Sequence, residues 1–228
     1  MQNKPMYQSE YNLNTTGMES LVSTNKVLKN TYLLLGLTLA FSALTAGISM
    51  AMGLPHGAAL VLMLVGFGLL FVVNKMADTS KGLWAIFAFT GVMGASLGPL
   101  LNAYAAMPGG PALVMQALGG TAIVFFGLSA YALTTRKDFS FMGGFLMVGL
   151  IVAVVAMIAN IFLAIPALAL TINAAVIMIM SGLILFDTSR IIHGGETNYI
   201  RATVGLYLNI YNLFVHLLSL LTALGGDD

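Results

Sequence analysis

The sequence predicts an all-α integral membrane protein with seven transmembrane helices, and three observations lead to that prediction. Hydrophobic residues make up 59% and charged residues 7% of the 228-residue chain, whereas about a quarter of the residues in a soluble domain are charged. The apolar residues form seven continuous runs, and the Lys and Arg residues lie in alternate gaps between these runs. Because a helix satisfies its backbone hydrogen bonds within one segment, and the runs lack the alternation of membrane strands, we expect helices.

Each apolar run is long enough to cross a bilayer as a helix. The first run would be about 33 Å long at ~1.5 Å per residue, against a hydrocarbon core of ~30 Å. The second run is the shortest and contains Gly66 and Gly68, so its ends are the least sharply defined. In chain order, the predicted spans are residues 31–52, 55–73, 83–104, 112–133, 141–163, 167–192 and 203–224.

Glycine and proline inside the middle spans indicate close helix packing. Small residues allow membrane helices to approach each other closely. Pro99 in the third span is expected to kink that helix, because proline removes a backbone hydrogen bond. The helical glycines that we interpret as packing residues are Gly91, Gly94, Gly98, Gly119, Gly120, Gly143, Gly144 and Gly149.

The positive charges predict the orientation of the chain, because Lys and Arg are retained on the cytoplasmic side of a membrane. They are Lys4, Lys26, Lys29, Lys75, Lys81, Arg136, Lys137, Arg190 and Arg201. We therefore expect a cytoplasmic N-terminus and, after seven crossings, a periplasmic C-terminus. Residues 1–29 are predicted to form a polar, disordered cytoplasmic tail, and residues 30–228 the membrane domain. The apolar runs make the lipid bilayer the expected partner, and the net charge of +1 indicates no surface for nucleic acid.

One acidic residue lies inside a span, which makes it a candidate functional site. Asp187 is about 7 Å from the cytoplasmic end of the sixth span at ~1.5 Å per residue. Asn209 lies at a similar depth in the seventh span, and a short loop makes these two spans antiparallel, so the two side chains are expected to meet. Arg190 follows Asp187 by one helical turn and is expected to pair with it. Two interpretations stay open: a structural clamp between two helices, or a gate with Asp187 as a weak candidate cation site.

The other polar residues in the spans predict packing and not catalysis. We expect interhelical hydrogen bonds from Asn102, Asn160, Asn173 and Asn212, and His216 is interpreted as a hydrogen-bonded histidine. The chain has no Cys, no zinc-ligand spacing and no phosphate-binding loop. A single membrane Asp does not make an aspartyl protease, which needs two carboxyl groups. The sequence therefore predicts no enzyme activity, no catalytic residue, no metal ligand and no cofactor.

Two segments near the C-terminus carry a family resemblance. Residues 186–192, Phe-Asp-Thr-Ser-Arg-Ile-Ile, and residues 206–214, Leu-Tyr-Leu-Asn-Ile-Tyr-Asn-Leu-Phe, resemble the closing motif of the Bax inhibitor-1 family. Residues 194–202 are similar to the bacterial YccA-like branch of that family, as are residues 26–32, Gly98-Pro99 and residues 133–138. The resemblance spans residues 22–224.

This resemblance implies a fold in which six helices surround a central seventh. For the bacterial branch it implies an inner-membrane modulator and substrate of the ATP-dependent membrane protease FtsH, with the N-terminal tail as the segment that the protease grips. The alternative function is a pH-sensitive Ca²⁺ leak, which in such relatives uses a latch of two Asp residues on the last two helices. Asp187 matches the first position of that latch, whereas Asn209 stands at the second. Because Asn does not titrate, two carboxyl groups cannot share a proton here.

Overall fold

The structure, a computed structural model, describes the backbone of residues 6–225 and the side chains of residues 24–225. Over that range the chain forms seven α-helices, which confirms the predicted fold class. A single 3₁₀ turn, Ser140–Met142, precedes α5. The helices are α1 Met6–Ala51, α2 His56–Met76, α3 Lys81–Ala105, α4 Gly110–Thr135, α5 Gly143–Leu163, α6 Pro166–Ile192 and α7 Tyr199–Gly225. Each of them contains a segment long and apolar enough to cross a membrane.

The first helix differs most from its prediction. It begins at Met6, its membrane-compatible part starts at Thr24, and no break separates residues 6–29 from the first span. Residues 6–29 are thus helical in the structure and residues 1–5 lie outside the described part, while the expected disorder of residues 1–29 stays a prediction. Helical structure continues because the polar stretch contains no proline after residue 5 to interrupt it. The division of the chain into a tail and a membrane domain stays a prediction.

Glycines on α3 allow this helix to approach α1 closely. α3 contacts both α1 and α2. A methyl group added at Gly94 would overlap the carbonyl oxygen of Ser42, and one added at Gly98 would overlap the hydroxyl of Ser49. The predicted packing role is confirmed for Gly94 and Gly98, and it is wrong for Gly119 and Gly144, where an added methyl group would have nothing within 4 Å. Pro99 follows them inside α3, which continues to Ala105.

The seventh helix is the central element of the bundle. It contacts α1, α2, α3, α4 and α6, and the side chains of Leu206, Leu213 and Leu218 are fully buried. Tyr207 reaches Ser42 on α1 with a hydroxyl–hydroxyl distance of 2.7 Å. These contacts confirm the predicted central position of the last helix.

The fifth helix lies at the periphery. In the described part of the chain it contacts α6 and the preceding 3₁₀ turn, and it does not contact α7. Its outward side chains include Phe145, Ile151 and Phe162, all largely exposed. Such a continuous apolar surface is compatible with lipid and not with water. Because α5 contacts α6 and not α7, a space stays open between α5 and α7.

Candidate functional site

The two polar side chains predicted to meet between α6 and α7 do meet. The amide nitrogen Nδ2 of Asn209 donates to Oδ2 of Asp187 at 2.7 Å. Asn209 is buried, with 5% of its surface exposed. The absence of a side chain at Gly205 makes room for the carboxylate, because an added methyl group would lie 3.1 Å from Oδ2. The arrangement is a charge-assisted hydrogen bond that joins the last two helices.

The expected ion pair between Asp187 and Arg190 is wrong. Arg190 instead lies 3.8 Å from the carboxylate of Glu196 and donates to the carbonyl oxygen of Gly195 at 3.2 Å. Its guanidinium carbon also lies 5.5 Å from the centre of the Phe186 ring. The long Arg190 side chain therefore extends toward the α6–α7 loop and the opposite charge of Glu196, while its guanidinium also lies beside the ring of Phe186 on α6.

A small charged cavity surrounds Asp187. It has a volume of about 90 Å³ and is lined by Asp187, Arg190, Glu196 and Arg201, with Ala202, Gly205 and Ile191 completing the wall. Two acids and two guanidinium groups line this space, and Arg201 is in addition ion-paired with Asp78. A cation entering this space would meet two positive groups as well as the acids, which weakens its binding. The geometry fits a clamp better than a cation site.

The loop after α6 is attached to the α2–α3 loop. The amide nitrogen of Asn198 donates to Oδ1 of Asp78 at 2.8 Å and to the carbonyl oxygen of Ala77 at 2.9 Å. The side-chain oxygen of Asn198 accepts from the backbone N–H of Ile200 at 2.9 Å, as a capping residue does at the start of a helix. Arg201 forms an ion pair with Asp78. These contacts determine where α7 begins beside α2 and α3.

The end of α6 is attached to the α4–α5 loop through Ser189 and His193. The hydroxyl of Ser189 accepts from the backbone N–H of Phe139 at 3.0 Å. The ring nitrogen Nδ1 of His193 lies 2.9 Å from the carbonyl oxygen of Ser189, and Nε2 lies 3.1 Å from that of Arg136. Because a carbonyl oxygen only accepts, both hydrogen bonds form together in the imidazolium, which has two N–H groups. The three loops at this end of the bundle are thus joined around the Asp187 cavity.

Sequence analysis did not identify Asn198, Ser189 and His193 as part of this arrangement. An Asn immediately before an apolar helix is a capping signal, and it was available for Asn198. Nothing in the local sequence indicates the contacts of Ser189 and His193 with the α4–α5 loop, since those partners are 50 and 57 residues away in the chain.

The predicted interhelical hydrogen bonds of the other Asn residues are confirmed in part. Asn102 on α3 donates to the carbonyl oxygen of Met50 on α1, and Asn173 on α6 donates to Ser219 on α7. The prediction is wrong for Asn212, which donates to Leu208 in its own helix. It is also wrong for Asn160, whose oxygen accepts from the backbone of Ile165 and so closes the turn after α5.

Similarity to known proteins extends over the whole described bundle. Residues 24–226 match the family described as Inhibitor of apoptosis-promoting Bax1. The chain is 59% identical over 203 residues to "Modulator of FtsH protease YccA" of Escherichia coli K12, covering 89% of this chain and 92% of that protein. An equally similar Escherichia coli O6:H1 relative is named "Inner membrane protein YccA".

More complete alignments come from two other bacteria. An uncharacterized membrane protein of Vibrio cholerae is 51% identical over 227 residues, covering 99% of this chain and all of that protein. An uncharacterized protein of Pseudomonas aeruginosa is 47% identical over 223 residues, covering 98% of this chain and all of that protein. The family match and these relatives show that this chain, a bundle of seven helices over its described residues, belongs to the Bax inhibitor-1 family.

Proposed function

We propose that the protein is an inner-membrane modulator and substrate of the FtsH protease, without catalysis of its own. The observation that carries the proposal is the 59% identity to the Escherichia coli modulator over 92% of that protein's length. In six of the seven spans, fewer than half of the residues are buried inside the bundle. An identity of this size therefore includes much of the surface that a membrane partner would contact.

The site between α6 and α7 supports this proposal over a Ca²⁺ leak. Ca²⁺ takes six to eight oxygen ligands, whereas Asp187 already accepts an N–H from Asn209 and shares its cavity with Arg190 and Arg201. That cavity lies on a different face of α7 from the larger apolar cavity that Tyr207 lines, because Gly205 and Tyr207 are about 160° apart around the helix. We infer that Asp187, Asn209 and Arg190 hold the end of the bundle together.

We further infer that the N-terminus is cytoplasmic and the C-terminus periplasmic in the bacterial inner membrane. Apart from Lys4, which lies outside the described residues, every Lys and Arg is near the start of the membrane-compatible part of α1 or in the loops and adjoining helix ends at the same end of the bundle. Lys75 and Lys81 flank the α2–α3 loop, and Arg136 and Lys137 lie in the α4–α5 loop. Positive charge on one side supports this orientation.

Two measurements on the full chain test the proposal. In the first, FtsH is captured from solubilised membranes with the tagged protein, and the degradation rate of an independent FtsH substrate is compared with and without the protein. A proteolytically inactive FtsH is the matched control, because it should bind the protein without degrading it. We expect capture by both forms and slower degradation of the independent substrate.

In the second measurement, the purified protein is reconstituted in liposomes and Ca²⁺ entry is followed against pH, beside protein-free liposomes. We expect no pH-gated flux. Flux that depends on pH, together with a failure to capture FtsH, would replace the modulator by the leak.

A further inference from the structure

A second polar cluster lies on the same two helices as Asp187, toward the other end of the bundle. Nδ1 of His216 on α7 is 2.8 Å from Oδ1 of Asn173 on α6. Nδ2 of the same Asn173 donates to the hydroxyl of Ser219 at 3.0 Å. Asn173 precedes Asp187 by about 21 Å along α6, so the two sites occupy opposite halves of the membrane.

A cavity of about 260 Å³ adjoins this cluster. Asn160 and Met157 of α5, Asn173 of α6, and His216 and Ser219 of α7 contribute to its wall. The cavity exists because α5 contacts α6 but not α7 in the described bundle, which leaves a wedge between α5 and α7. All four polar side chains are half-buried. The wall thus combines polar side chains with apolar ones such as Ile161 and Ile172, and the space is large enough for several water molecules.

The hydrogen bonds define which nitrogen of His216 is available. The oxygen of Asn173 only accepts, so Nδ1 of His216 carries the hydrogen and donates it. In the neutral ring, Nε2 then keeps its lone pair. Asn173 thereby acts as a positioning residue, as a partner on one imidazole nitrogen orients the other nitrogen.

The surroundings of His216 favour water beside the free nitrogen. A polar group in the hydrocarbon region without a partner is unfavourable, and histidines inside membranes face the bundle interior or a water-filled cavity. Of the side chains that line this cavity, from α5, α6 and α7, His216 is the one that titrates, and no Lys, Arg, Asp or Glu is among them.

We propose that this cavity is a hydrated proton-binding site in the membrane half that contains the end of α7, with Nε2 of His216 as the proton acceptor. The protonated ring keeps its hydrogen bond to Asn173 through Nδ1 and donates from Nε2 to water in the cavity. No part of this proposal depends on FtsH or on Ca²⁺ conduction. It adds a titratable site about 14 Å from the end of α7 at ~1.5 Å per residue.

Hydration can be tested directly because the natural chain contains no cysteine. Single-cysteine variants in liposomes are treated with a membrane-impermeant methanethiosulfonate reagent, which reacts with thiolate, a form that requires water. Ser219→Cys probes the cavity. Ile158→Cys is the lipid-facing control at matched depth on α5, since 53% of Ile158 is exposed. Leu218→Cys is the control for a fully buried neighbour.

We expect Ser219→Cys to react about tenfold faster or more than either control, since only its thiol would be ionised by contact with water. Asn160→Cys, at the same cavity, provides a second probe if the Ser219 variant does not fold. Cavity variants that react as slowly as the lipid-facing control would overturn the hydrated site.

Proton binding is tested by the imidazole ¹⁵N resonances of the full chain, in which the His216 signal is assigned by its loss in His216→Gln. We expect a neutral form protonated at Nδ1 and a second proton on Nε2 upon acidification. Asn173→Leu should redistribute the neutral tautomers and move the titration, an effect that a merely structural residue would not have. A spectrum that does not change with pH, or a neutral ring protonated at Nε2 in the natural protein, would contradict the proposal.

Discussion

Asn209 donates its amide N–H to Oδ2 of Asp187 across a distance of 2.7 Å, and this contact joins α7 to α6. An amide donor has no pH-dependent charge, so the pair does not separate by repulsion when a proton is lost. The surrounding cavity places the guanidinium groups of Arg190 and Arg201 beside Asp187, where Arg190 pairs with Glu196 and Arg201 pairs with Asp78. The contact between the last two helices is therefore expected to persist over the physiological pH range.

Replacing Asn209 by Asp should introduce the pH dependence that the natural pair lacks. Two carboxylates at this distance repel each other unless one of them is protonated. We expect Asn209→Asp to open the α6–α7 contact as pH rises, and Ca²⁺ flux into liposomes between pH 6 and pH 8 is the measurement. Asp187→Asn is the control without a carboxylate at this site. Strong pH-gated flux in the natural protein that Asp187→Asn abolishes would mean that one carboxylate is sufficient.

Replacing Asn209 by Leu should destabilise the bundle. The variant removes the donor and leaves the Asp187 carboxylate without this partner, at a cost of about 1–3 kcal/mol. Thermal unfolding in detergent should show a lower midpoint for Asn209→Leu. In the double variant Asn209→Leu, Asp187→Leu the unpaired carboxylate is gone, and part of the stability should return. Equal midpoints for Asn209→Leu and the natural protein would argue against a structural role of the contact.

The orientation predicts the location of the C-terminus. Asp227 and Asp228 lie outside the described residues, but α7 ends at Gly225, on the opposite side from the positively charged loops. A reporter enzyme that is active only in the periplasm should be active when it is fused after residue 228, because an odd number of spans separates this point from a cytoplasmic N-terminus. Fusion in the α4–α5 loop, after Lys137, is the matched cytoplasmic control. Absence of reporter activity at both sites would indicate an even number of crossings.

Removing residues 1–20 should slow degradation by FtsH and leave the bundle folded. The side chains of these residues lie outside the described part, and the first membrane-compatible segment begins at Thr24. A polar terminus outside the membrane is the part of the chain that a processive protease reaches first. The measurement is the half-life of the protein in cells with active FtsH. As a control, an unrelated polar segment of equal length is fused in place of residues 1–20, and it should restore degradation if the length of the segment is what matters. An unchanged half-life after truncation would exclude residues 1–20 as the segment that the protease grips.

The exposed α4–α5 loop should contribute to stability at neutral pH and lose that contribution in acid. Hydrogen bonds from the side chain and the backbone N–H of Ser140 hold the pKa of Asp138 below its usual value, with a smaller effect of His193. Since the folded-state pKa is the lower one, the stabilisation is complete above the unfolded pKa of about 3.9 and is lost as pH falls through the folded value. Thermal midpoints of the natural protein and Asp138→Asn should therefore converge in acid and differ at pH 7. A constant difference between them at all pH values would contradict this assignment.

The candidate site was predictable where the chain itself brings residues together. Asp187 and Asn209 belong to consecutive antiparallel helices joined by a short loop, so equal depth was enough to place them opposite each other. The partner of Arg190 was not predictable in this way. One helical turn separates it from Asp187, but the choice between Asp187 and Glu196 depends on where a long side chain finds exposed opposite charge, and that depends on the shape of the α6–α7 loop.

The sequence by itself determined the number of spans, the side on which positive charge collects, and the pairing of the last two helices. These properties follow from hydrophobicity along the chain and from the lengths of the loops, both of which are local. Only the tertiary structure decided that His193 meets the carbonyl oxygen of Arg136, that Asn198 meets Asp78, and that His216 faces Asn173 beside a cavity. Those contacts depend on how each helix is rotated about its axis and which helices are neighbours, and a nearly uniform apolar surface leaves little periodic signal from which to predict that rotation.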